Sequence, residues 1–152
     1  MTIAECQVET IKHIEAVRKY IKIFTDRLTQ RGIDHDRSKL ESPEVELFAE
    51  YTDKLKDLTY GTPEYEESLN NLKPALEHHY SRNLHHPEHY PKGINDMNLI
   101  DLCEMFCDWK ASTERMHDGN LLKSIEVNAE RFKINGQLKQ ILINTTKLFD
   151  GE

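Results

Sequence analysis

Residues 99–116 read Leu-Ile-Asp-Leu-Cys-Glu-Met-Phe-Cys-Asp-Trp-Lys-Ala-Ser-Thr-Glu-Arg-Met, and this run decides the fold. Leu99, Leu102, Cys103, Phe106, Trp109, Thr113 and Met116 return mostly at steps of three and four, the period of one helical face. Asp101, Glu104, Asp108 and Arg115 fall on a second, polar face. Asn95 or Asp96 serves as the cap before the run, and His117-Asp118-Gly119-Asn120 ends it.

The same period extends in both directions. Val8, Ile11, Ile14, Val17, Ile21, Phe24 and Leu28 mark one apolar face of a long first helix, closed by Gly32. Ser42-Pro43-Glu44 and Thr62-Pro63-Glu64 each combine an N-cap, a first-turn proline and an acid, so each predicts a helix start. The second of these helices meets Pro74, which predicts a kink or a break. Residues 84–97, with Pro87, Pro91 and Gly93, read as loop. Two further helices follow, one lined by Leu122, Ile125, Ala129 and Phe132, the other by Leu138, Ile141, Leu142, Thr145 and Leu148. No segment alternates with a period of two. The chain is all-α, with about six or seven helices in one compact domain over residues 1–152.

Between the third helix and the quoted run, residues 78–89 hold five of the eight histidines. Imidazole is the commonest metal ligand and titrates near neutrality, so the cluster predicts coordination or proton transfer. His35-Asp36 stand upstream, His13 lies on the first helix, and Asp108 projects from the polar face of the quoted run. These nitrogen and oxygen donors suit one or two divalent ions of the Mn, Fe, Co, Ni or Zn kind.

Composition narrows the partners. The formal charge of −7 leaves no basic stripe for a long nucleic acid, while a small phosphorylated ligand stays compatible once a cation reverses the local field. No run approaches the roughly 18 apolar residues that a membrane helix needs. Three cysteines with no CxxC pair, and no basic-then-apolar leader, predict a cytoplasmic protein without a disulfide framework.

The order His13…His35-Asp36…Asp108 resembles the HD-domain superfamily of metal-dependent phosphohydrolases. His35-Asp36-Arg37-Ser38-Lys39 is similar to its His-Asp-x-Gly-Lys run, with Arg37 where an apolar residue is more usual. The chain also resembles a small bacterial and phage family marked by Asn-x-His-His-Pro-Glu-His and Glu-Met-x-x-Asp-Trp, present as Asn83 to His89 and Glu104 to Trp109. That second resemblance carries no activity with it. The first implies an HD-like helical domain and a metal held by His13, His35, Asp36 and Asp108, activating water against a phosphoester. It also implies that histidines between the doublet and the last Asp hold a second metal or face the substrate; His79 and His86 are the choice here, with His85 hard to separate from His86.

Further roles follow from chemistry. Asp36 can bridge two ions. Lys39, one turn on, can bind a phosphate oxygen as a point charge. Glu104, one turn before Asp108, can orient a ligand, accept the water's proton or become a further ligand. Arg18 or Arg131 can add a phosphate contact.

Blander readings stand beside these. A lone His13 is more often a helix-surface histidine or a satisfied core one, Asp36 can instead cap the next segment, Lys39 reads equally as an exposed lysine, and Cys103 and Cys107 read as buried small hydrophobes. The function expected is metal-dependent hydrolysis of a nucleotide or other small phosphoester. The alternatives are a metal-containing module that captures a phosphorylated ligand without turnover, or a structural metal site in a partner-binding protein. A ferritin-like di-iron oxidase needs paired Glu-x-x-His motifs, and only Glu114-x-x-His117 has that spacing.

Overall fold

The computed structural model of the chain describes residues 1–58, 62–115, 117 and 119–150, with Lys56 described by its backbone alone. Met116 and Asp118, placed above on the apolar face and at the end of the quoted run, lie outside the described residues. Every regular element among the described residues is helical, as the periodicity requires. The chain divides into two compact units, Met1–Asp34 and His35–Glu152, where the sequence reading treats it as one domain.

The first unit is a single helix, α1 (Ile3–Asp34). It runs two residues past Gly32 and spans about 48 Å at 1.5 Å per residue. Pairs one turn apart, such as Lys22 Nζ with Asp26 at 2.7 Å, line its polar side. None of its described side chains is buried.

The second unit begins at His35, and Asp36 takes a left-handed backbone conformation with φ 56° and ψ 15°. Among residues with a Cβ, Asp and Asn tolerate that region best, and such outliers gather at functional sites. A short 3-10 turn, Arg37–Leu40, leads to α2 (Glu44–Asp57). Helix α3 (Pro63–Arg82) packs against α2 and starts as expected, with Thr62 Oγ1 accepting from the Tyr65 N–H at 3.3 Å. It continues through Pro74 as one helix, so of the predicted kink or break the break does not occur. Proline costs about 3 kcal/mol inside a helix; burial of Leu72, Ala75 and His79 on the same helix opposes that cost.

After α3, two 3-10 turns (Pro87–His89 and Gly93–Asp96) occupy the expected loop. Asn98 caps α4 (Leu99–Glu114), in place of Asn95 or Asp96. Its side chain accepts from the Asp101 N–H at 3.1 Å while Asp101 Oδ2 accepts from the Asn98 N–H at 3.0 Å, a closed capping box. Helices α5 (Leu121–Arg131) and α6 (Gly136–Thr145) follow, capped by Asn120 and Asn135. Met105, Phe106 and Trp109 of α4 meet Ile125 and Ala129 of α5 with Ile134 and Leu142 in one core.

The buried face of α4 is turned relative to the predicted one. Asp101 and Glu104 are buried, whereas Leu99 is 63% exposed and both Cys103 and Cys107 are exposed. The reason is that this helix turns carboxylates inward, where they have partners. Tyr90 donates to Asp101 Oδ2 at 2.8 Å, and Glu104 receives an imidazole N–H.

Candidate metal centre

The left-handed turn at Asp36 sets the geometry of the doublet. Asp36 sends its two carboxylate oxygens in different directions. Oδ2 lies 3.6 Å from His35 Nε2, which is itself 3.6 Å from Asp108 Oδ1 on α4. Oδ1 lies 3.3 Å from His79 Nε2 and 3.5 Å from His85 Nε2. His79 Nε2 in turn stands 2.9 Å from His86 Nε2. Donor atoms of His35, Asp36 and Asp108 form one convergent group, and those of Asp36, His79, His85 and His86 form another. A third, His35, His85 and Glu104, adjoins them.

These groups could hold a metal ion, and two observations fit that role. First, buried polar atoms in the centre lack hydrogen-bond partners: Asp36 Oδ1 and both ring nitrogens of His85, a residue only 1% exposed. Unpaired buried polar atoms are rare and each needs an explanation. Second, the spacings are those of co-ligands. Donors sharing one first-row divalent ion at about 2.0–2.2 Å sit about 2.9–3.5 Å from each other, and the distances above cluster at or just beyond that range.

Behind the donors stand two carboxylates that orient them. His35 Nδ1 donates to Glu104 Oε1 at 2.9 Å; His85 Nδ1 lies 3.1 Å from the same oxygen without hydrogen-bond geometry. His79 Nδ1 donates to Glu44 Oε2 at 2.9 Å, and His78 Nδ1 donates to Glu44 Oε1 at 2.7 Å. A ring that gives its Nδ1 proton to a carboxylate presents the Nε2 lone pair to the centre, the arrangement that metal-ligating histidines adopt. Asn83 locks the frame: its amide donates to Ser38 Oγ and to the His79 carbonyl, each at 2.8 Å. His89 Nδ1 donates to the Tyr80 carbonyl at 2.8 Å and pins the loop.

Sequence comparison places the chain. A family model described as a family of unknown function (DUF5662) matches residues 2–148. The chain belongs to that family. No curated protein and no solved structure matches it. Across this DUF5662 member, the two motifs that stood out in the sequence both end at the centre. Asn83, His85 and His86 come from one, and Glu104 and Asp108 from the other.

Of the residues singled out in the sequence, His35, Asp36, His79, His86, Glu104 and Asp108 converge in the second unit. Lys39 joins them, with Nζ donating to Asp36 Oδ2 at 2.7 Å and its side chain 41% exposed. His13 belongs to the first unit, exposed on α1, and none of the three donor groups includes it. His85 and His86 both offer donor atoms to the same group. Glu44 escaped the sequence reading. An acid just after Ser-Pro looks like an ordinary first-turn partner of the helix dipole, and nothing local signals that it is wholly buried under two histidines.

The electrostatics follow from this crowding. The carboxylates of Asp108 and Glu104 hold the His35 imidazolium up to about 10. Burial, reinforced by His85 and His79, pushes His86 down to about 3. For Asp36 burial acts upward, yet His79 and Lys39 outweigh it and hold the carboxyl well below the usual range. Asp108 is likewise held down, by His35 against the opposing effect of burial.

A pH prediction follows for the metal-free protein. A group whose folded pKa is raised stabilises fully below its unfolded value and loses that contribution as pH climbs through the folded one. His35 therefore stabilises the metal-free fold at pH 6 and ceases to do so between about 6.5 and 10. The urea midpoint of chelator-treated protein should fall across that window, and His35→Gln should flatten the fall. An equally steep alkaline limb in the variant would assign the loss to other groups.

Proposed function

We propose that this chain is a metal-dependent phosphohydrolase with an HD-like helical fold, acting on a nucleotide or another small phosphoester. The observation that carries the reading is the pair of unpartnered buried donors, Asp36 Oδ1 and His85 Nε2, 3.5 Å apart amid further imidazole and carboxylate ligand atoms. A set of several imidazoles and two aspartates suits one or two Mn, Fe, Co, Ni or Zn ions.

A cation held there supplies a Lewis acid for a phosphoryl oxygen and brings the pKa of coordinated water toward about 7. The chain's own residues do the rest. Asp36 serves both donor groups, one oxygen to each, and so sets their spacing. Lys39, half exposed and resting on Asp36, is placed to take a phosphate oxygen as a point charge. Glu104 Oε1 receives the His35 proton, which favours the orienting role among the three open to it. Asp108 is partly exposed and lines the adjoining pocket, so it faces the ligand side of the centre.

All three cysteines are free and exposed, a state that a reducing cytoplasm preserves. No described helix is long and apolar enough to cross a membrane.

Metal analysis of the purified protein tests the reading, together with phosphate release from nucleotides and simple phosphomonoesters with each of these metals added. Release that needs the metal and stops with chelator is expected. Bound metal with every ester recovered intact would replace the hydrolase by a capture module.

A further inference from the structure

Beside the centre, α4, α5 and the loop after α3 enclose a pocket of about 220 Å³. His85, His86 and Asp108 line it, so the pocket opens directly onto the centre. Glu88 and Arg131 line it as well. Arg131 is held by its neighbours, Tyr80 among them. Its guanidinium stacks over the Phe132 ring, 4.7 Å from the centroid, and Nη2 donates to Glu88 Oε1 at 2.7 Å. The other Glu88 oxygen lies 3.9 Å from His86 Nδ1. A single carboxylate thus reaches from Arg131 to a donor residue of the centre.

We propose that Arg131 is the anion clamp of this site and that the Glu88 carboxylate is its resident stand-in, displaced when a ligand's phosphoryl group arrives. The proposal rests on the phosphoester reading above and says how that ligand is held. A guanidinium fork matches phosphate oxygens two at a time, and stacking on Phe132 fixes its plane before binding. The resting pair is weak enough to yield, because Arg131 is 56% exposed and Glu88 26%, and solvent-facing ion pairs contribute little. On a chain of net charge −7, an anionic ligand needs such a local cation.

Calorimetric titration of the metal-loaded full chain with inorganic phosphate tests this. Glu88→Gln keeps the side chain's size, removes its charge and should tighten phosphate binding by up to about fivefold. Arg131→Met should weaken it by at least about tenfold, and Arg131→Lys should fall between, since a point charge replaces the fork. Metal content and helicity should match the parent in all three. Parental affinity in Arg131→Met, or unchanged or weaker binding in Glu88→Gln, overturns the clamp. Phosphate binding that follows this pattern without release from any ester keeps the clamp and removes the hydrolase. Metal-dependent release that is indifferent to Arg131 does the reverse.

Discussion

Asp36→Asn is expected to lower metal-dependent phosphate release by about a hundredfold to a thousandfold or more, the scale of losing one charge-stabilising group at a reacting centre. Bound metal should fall with it. Asparagine is the informative substitution because it tolerates the left-handed backbone at this position, φ 56°, where alanine would add strain. The variant therefore isolates the carboxylate. Asparagine keeps one oxygen, uncharged, so either the group with His79, His85 and His86 or the group with His35 and Asp108 loses its oxygen from this position, and both lose the negative charge. Among the described residues, Asp36 is the one member common to both of these groups. Chelator-resistant metal and phosphate release at the parental rate in this variant would remove Asp36 from the chemistry.

Glu44→Ala should be the second severe change, although Glu44 offers no atom to the donor groups. Its carboxylate is fully buried and takes N–H donors from both His78 and His79. Burial works against its ionisation, yet His78, then Ser38 and His79, hold its pKa low, so it stays charged beneath the rings. Alanine leaves two imidazole donors without their acceptor and opens a void under α2. Stranding a buried donor costs about 1–3 kcal/mol, and loss of an orienting carboxylate typically weakens metal binding about 10–100-fold. Chelator-competition titration and urea denaturation read the two effects separately. Glu44→Gln, which keeps the volume and one acceptor, should recover most of the stability while leaving metal binding impaired. Full metal affinity in both variants would mean that His79 is held by packing alone.

The contrast between Asp36 and Glu44 shows which parts of the site can be read from residue order. The doublet announces itself because His and Asp are adjacent and both are donors. The cluster at 78–89 announces itself by density. Asp108 is legible from its place on the polar face of a periodic helix. Glu44 is not, since its role depends on α2 lying against α3, a contact between residues about 35 apart that no local pattern encodes. The same limit explains the faces of α4. Periodicity grouped Cys103 with the apolar residues and Glu104 with the polar ones, but a carboxylate facing buried imidazoles gains more from the interior than a cysteine does. Pro74 is the opposite case: a strong local breaker does not end α3, whose buried residues hold the helix together on both sides of it.

From residue order alone came the helical class, the start of α3 at Thr62 and the clustering of metal-suited donors, because these depend on three- and four-residue periods, caps and residue type. Tertiary structure decided which imidazole nitrogens face inward, that His85 and His86 lie side by side, that Glu44 takes the Nδ1 protons of His78 and His79, and that Glu104 takes that of His35. Those outcomes depend on distances of about 3 Å between segments far apart in the chain, and only packing brings such segments together.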